Sequence, residues 1–181
     1  PTGIGCLLVK KEVMSQMGPF MTGGSMIKTV STDGSTFQEG HAMFETGTPR
    51  IAEAIGWGAA VEWLEQFDMV EIHSHINRIA SWTAERISAI EGITVYGDPS
   101  RNDSSGAVSF LHDSIQSQDL ALLLDEGGFA VRTGHHCAQP LMDALGVPST
   151  NRASFWLYNT MEEAEDFVKH LNYVVHRFSG K

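Results

Sequence analysis

The chain has 181 residues, 42% of them apolar, and a formal net charge of −10. That length supports one real core with an attached subdomain. No run approaches the roughly 18 to 20 apolar residues of a membrane-spanning helix, and the acidic balance opposes binding to nucleic acid, whose phosphates demand a basic patch.

The chain divides near Phe67-Asp68 into residues 1–67 and 68–181. In the first part, residues 5–10 predict a short apolar strand with Cys6 as buried packing, and residues 12–17 a helix. Residues 25–30 and 36–44 predict two extended arms around Asp33-Gly34. Thr48-Pro49 predicts a helix opening, with threonine as cap and proline in the first turn. Ile51, Ile55, Gly58, Val61 and Leu64 then trace one face, and Gly56 and Gly58 permit close packing.

From Asp68 a longer helix is predicted to about Ile90, because Met69, Ile72, Ile76, Ile79, Thr83, Ile87 and Ile90 recur every three or four residues before Gly92. His73 and His75 stand two apart and point away from each other on a helix, so they cannot share a metal. They read as surface or boundary residues, as do His41, His112, His170 and His176. Residues 93–96, 107–111, 129–132 and 152–158 predict four strands, with helices over 117–124 and 141–145. Residues 97–106 form a turn-rich link too short for a helical crossover, so the sheet is expected to be mostly antiparallel. Thr160-Met161-Glu162-Glu163 is a capping box, and Ala164, Phe167, Val168, Leu171, Val174, Val175 and Phe178 draw an apolar stripe along the closing helix. The expected fold class is α+β, with strands interleaved with helices on one side. Trp57, Trp63, Trp82 and Trp156 read as core or interface.

Chemistry concentrates in Arg132-Thr133-Gly134-His135-His136-Cys137-Ala138-Gln139-Pro140. The thiolate is the nucleophilic form of cysteine, and neighbouring cations stabilise it. Two blander readings stand beside that one. His-His-Cys is part of a zinc ligand set, although no CxxC or second Cys/His cluster completes it. Alternatively, Cys137 is a small buried hydrophobe in a solvated loop. Cys6 and Cys137 occupy such different settings that a reducing, cytoplasmic home fits better than a disulfide. Fifteen residues after Cys137, Arg152 opens a strand, where its planar fork suits a substrate carboxylate or an ordinary ion pair.

Arg132 to Pro140 with Leu141-Met142, followed by Arg152-Ala153-Ser154 and Tyr158-Asn159-Thr160, closely resembles the C-terminal signature of group II cysteine desulfurases. Gly23-Gly24-Ser25-Met26-Ile27 and Phe44-Glu45-Thr46-Gly47-Thr48-Pro49 match two further signatures in order. The resemblance implies a pyridoxal-phosphate enzyme of the class V aminotransferase family that converts L-cysteine to L-alanine. A persulfide forms on Cys137, and its sulfur passes to an acceptor protein for iron–sulfur cluster assembly. Carried over by position, Cys137 is the sulfur acceptor, Arg152 binds the substrate carboxylate, and Arg132 and His136 frame the cysteine loop. Thr48, with Gly47 beside it, contacts the cofactor phosphate across a homodimer interface. Residues 1–67 would be the end of a large cofactor domain, and residues 68–181 the C-terminal small domain of a fold-type I enzyme. A selenocysteine lyase relative and a non-catalytic module that accepts sulfur or binds a partner are the alternatives.

The same resemblance places the lysine that holds the cofactor four residues before Pro1, just outside the chain. Lys10, Lys11, Lys28, Lys169 and Lys181 stand in other contexts. The expectation is a piece of a longer enzyme that alone holds no cofactor covalently and turns over no cysteine. Its first 67 residues are expected to lack packing partners and to fray or self-associate. Cys137 is expected to be reactive and Cys6 inert.

Overall fold

The computed structural model describes residues 2–98 and 105–178. The central part of the predicted 97–106 link and Lys181 lie outside the described residues. The chain separates into two compact units, Pro1–Gln66 and Phe67–Lys181.

The first unit is sparse in regular structure. Residues 5–10 form no strand, and the helix after them, α1, covers only Lys11–Met14. An extended apolar run without a neighbouring ladder has nowhere to place its backbone hydrogen bonds, and Cys6, expected to be buried, is exposed. Two short strands, β1 (Ile27–Ser31) and β2 (Gly34–Phe37), pair as an antiparallel hairpin, with an irregularity between Ile27 and Thr29. Residues 40–44, expected to extend the second arm, instead form a turn of 3-10 helix. Helix α2 spans Ile51–Leu64. It starts after the predicted threonine cap: Arg50 occupies the N-cap without a side-chain capping bond. None of its residues is buried, and its predicted stripe carries Ile51 at 60% and Ile55 at 70% exposure.

The second unit is an antiparallel sheet covered by helices. Helix α3 (Met69–Ser88) opens on Asp68, whose carboxylate accepts the Val70 N–H at 2.7 Å. Its stripe buries Ile72, Ile76, Ile79, Ala80, Thr83, Ala84 and Ile87, while Met69 stays exposed. Strands β3 (Ile93–Tyr96), β4 (Ala107–His112), β5 (Arg132–Gly134) and β6 (Thr150–Ser154) lie in the order β3-β4-β6-β5, every neighbouring pair antiparallel. Helices α4 (Ser117–Glu126) and α6 (Met161–Phe178) pack with α3 over the sheet face that carries Val108, Phe110 and Ala153. The capping box of α6 is formed: Thr160 N–H donates to the Glu163 carboxylate at 2.8 Å, and Glu163 N–H to the Thr160 hydroxyl at 3.1 Å.

Two predicted strands shift, and one histidine changes its setting. The third strand begins at Arg132 rather than Phe129, because the β5–β6 register pairs Arg132 with Arg152. The fourth strand ends at Ser154, four residues early. Phe155 N–H still donates to Gly106 O at 2.9 Å, but Trp156 N–H donates to Asn159 Oδ1 at 2.8 Å, so an asparagine-closed turn replaces the ladder. His112 is buried rather than peripheral: its Nδ1 accepts the Ser114 and Ile115 N–H groups, each at 3.1 Å. Gly92 (φ +80°) lies against the same ring, where a Cβ would stand 2.6 Å from His112 Nε2.

Candidate active site

The face of the sheet opposite the helices carries the site. Successive residues of a strand alternate between faces, so Val108 and Phe110 turn to the core and Ser109 to the other side. Register then aligns Tyr96, Ser109, Arg152 and Arg132 in one row across all four strands. Two arginines opposed across a pair of strands repel each other, an arrangement suited to an anion held between them. Arg152 Nε donates to the Ser154 hydroxyl at 3.2 Å.

The cysteine loop leaves the end of β5 and reaches helix α5 (Gln139–Leu145) after four residues. Gly134, His136 and Cys137 have φ of 115°, 55° and 62°, so two consecutive residues with side chains stand in the left-handed region. Ala138 N–H closes the turn on His135 O at 2.8 Å, and Cys137 N–H donates to His135 Nδ1 at 3.1 Å. Cys137 is exposed, and Arg132 Nη2 donates to its Sγ at 3.5 Å. This contact sets a fixed positive charge against the sulfur.

His136 Nε2 lies 3.1 Å from Thr150 O and 2.9 Å from Thr150 Oγ1. A carbonyl only accepts, so Nε2 carries the proton and Nδ1, buried without a partner among the described residues, is bare. Burial lowers the His136 pKa below the ordinary histidine value. The hydrogen bond to Thr150 opposes that shift, and the charges of Arg152 and Arg132 reinforce it. A cleft of about 460 Å³ adjoins the loop, with Tyr96, Ser109, His136 and Arg152 at its polar side and Leu141 and Leu145 at its apolar side.

Four of the six predicted site residues, Arg132, His136, Cys137 and Arg152, thus come together on one sheet face. Gly47 and Thr48 belong to the first unit. There Gly47 (φ +81°) has open space where a Cβ would stand and donates its N–H to Gly24 O at 2.8 Å, while Thr48 is exposed. Tyr96, Ser109, His135 and Thr150 were not among the predicted residues. Ser109 had a readable signal, a polar residue between Val108 and Phe110 in an alternating strand. Thr150 had none, because its contact with His136 depends on the pairing of β5 with β6.

The aminotransferase class-V sequence profile matches residues 1–167. The chain belongs to that family. This class V chain is 47% identical over 171 residues to a probable cysteine desulfurase of Halalkalibacterium halodurans, covering 94% of this chain and 41% of that one. It is 42% identical over 168 residues to a cysteine desulfurase of Haloferax volcanii, covering 93% and 39%. The crystal structure of the Escherichia coli cysteine desulfurase CsdA matches with a TM-score of 0.91 at 36% identity, over 98% of this chain and 43% of that one. The class V chain therefore spans less than half the length of these relatives. Among the described residues no helix is long and apolar enough to cross a membrane.

Proposed function

We propose that the chain is the carboxylate-gripping and sulfur-accepting portion of a pyridoxal-phosphate-dependent cysteine desulfurase that converts L-cysteine to L-alanine and leaves a persulfide on Cys137. The observation that carries this reading is the placement of Cys137 Sγ 3.5 Å from Arg132 Nη2, on the sheet face where register sets Arg152 opposite Arg132. A nucleophilic sulfur and a carboxylate clamp on one surface are what transfer from an α-amino acid requires.

The residues of this chain suit the phosphate end of the cofactor. Gly47 leaves room for close approach, and because its own N–H is spent on Gly24, the exposed Thr48 hydroxyl is the donor. Bound pyridoxal phosphate supplies the electron sink that makes the substrate C–S bond labile. The chain's own residues do the rest. Arg152 holds the substrate carboxylate through its planar fork. Arg132 keeps a positive charge beside the attacking sulfur, and His136, tied to Thr150, holds the loop against β6. Cys137 Sγ attacks the substrate sulfur. The new S–S bond forms as the Cβ–S bond breaks, and the released electron pair stays with the substrate carbon, which takes a proton to become the alanine methyl.

Delivery of that sulfur to an acceptor protein for iron–sulfur cluster assembly, by a cytoplasmic homodimer, completes the proposal. The four residues between β5 and α5 support it, because so short a loop keeps the persulfide near the sheet and calls for an acceptor that comes to it. The test uses the complete protein loaded with pyridoxal phosphate. Alanine release and a trapped adduct one sulfur heavier on the Cys137 peptide are expected together, and Cys137→Ser is expected to lose both. Undiminished alanine release in Cys137→Ser, or persulfide on Cys6, would sink the reading.

A further inference from the structure

The geometry points to His135 as the positioning residue for Cys137, holding the cysteine backbone in the conformation that keeps its sulfur beside Arg132. This deepens the desulfurase reading and rests on it. Left-handed φ at His136 (55°) and Cys137 (62°) is unfavourable for residues bearing a Cβ, and two in succession persist only where neighbouring contacts hold them.

Three contacts do so. The Ala138 N–H bond to His135 O, at 2.8 Å, closes the turn but leaves the Cys137 peptide free to rotate. The bond from His136 Nε2 to Thr150 O, at 3.1 Å, anchors the loop to β6. The third, from Cys137 N–H to His135 Nδ1 at 3.1 Å, acts on Cys137 itself. Without it, φ of Cys137 is free to relax to the ordinary negative range. Its Cα–Cβ bond then swings and Sγ leaves Arg132 Nη2, now 3.5 Å away. An accepting Nδ1 is unprotonated, so the neutral His135 ring carries its hydrogen on Nε2. The first histidine of the pair therefore needs no contact with substrate to affect transfer.

Asparagine tests the idea, because its side-chain oxygen accepts a backbone N–H two residues on, the same bond His135 accepts. The rate of Cys137 alkylation by iodoacetamide, followed by mass spectrometry, and kcat and KM for L-cysteine are measured in the complete protein loaded with pyridoxal phosphate. His135→Ala is expected to lower alkylation and kcat about three- to tenfold with KM within about twofold, and His135→Asn to restore both to within about twofold. In the wild type, nitrogen NMR of labelled histidine is expected to find His135 Nδ1 unprotonated, a readout that does not depend on any variant folding. Wild-type behaviour of His135→Ala, an asparagine variant as impaired as the alanine one, or a protonated Nδ1 would each overturn the assignment. The alkylation comparison stays informative even if Cys137→Ser refutes the desulfurase reading, so the two failures are distinguishable.

Discussion

Helices α2 and α3 follow each other in the chain, and they use apolar residues in opposite ways. The 14 residues of α2 bury none of their side chains, whereas α3 buries seven of 20. Composition does not separate them, for α2 is the more apolar. Its apolar residues surround the axis, with Gly56, Trp57, Gly58, Ala59 and Ala60 in one run, while α3 confines Ile72, Ile76, Ile79 and Ile87 to one stripe with charged residues behind it. A stripe packs against one layer, and a helix apolar all round needs cover on several sides. Stability in this chain is therefore expected to reside in residues 67–178.

Truncating the core should give the largest contrast. Phe110 is fully buried and meets Phe167 edge to face, with ring centroids 6.2 Å apart. Phe110→Ala is expected to cost about 3 to 5 kcal/mol through lost burial and the cavity left behind. Ile55→Ala, at 70% exposure, should stay within about 0.5 kcal/mol. Urea unfolding of both variants measures the difference, and equal losses would show that α2 is packed in solution.

The helix starts provide a smaller version of the same test. Thr160 makes both bonds of a capping box on α6, so Thr160→Ala should cost about 1 kcal/mol. Thr48 stands two residues before the N-cap of α2, whose Arg50 makes no side-chain cap bond, so Thr48→Ala should leave stability within about 0.5 kcal/mol. Comparable losses in unfolding midpoints would mean that Thr48 has a structural contact in solution.

The same contrast explains what could be read from sequence. Helices α3 and α6 were legible because burial on one face leaves a period of three to four, and the Thr160–Glu163 box marks its own position. The exposure of Cys6 was not legible, since an apolar run states a need for partners without supplying them. The end of β6 was missed because aromatic residues continue through Phe155 and Trp156, while Asn159 closes a turn there, and the start of β5 was missed because it is set by register with β6. Within the site, Arg132, His136, Cys137 and Arg152 stood out by chemistry and by resemblance. The row through Tyr96 and Ser109 depended on strand pairing of Tyr96 with Ser109 and of Ser109 with Arg152, a partner distant in sequence, which local periodicity does not encode.

The smallest effect lies in the cysteine loop. Burial holds the His136 pKa below the ordinary value of 6.5, and nearby cationic groups reinforce this. A histidine lowered on folding binds fewer protons in the folded than in the unfolded state, so its contribution is fully present above about 6.5. That contribution is lost as pH falls from there through the lowered value. Protonation also places a new charge near Arg132 and Arg152, while the Nε2 bond to Thr150 O survives because Nε2 is already the donor. His136→Gln retains a donor and removes the titration, so its stability should fall less steeply with acid over that window. The difference between the two slopes isolates His136. Amide exchange of β4 and β6, followed from neutral pH downward, reads that difference in the second unit. Coincident slopes would show that acid reaches this sheet through another group.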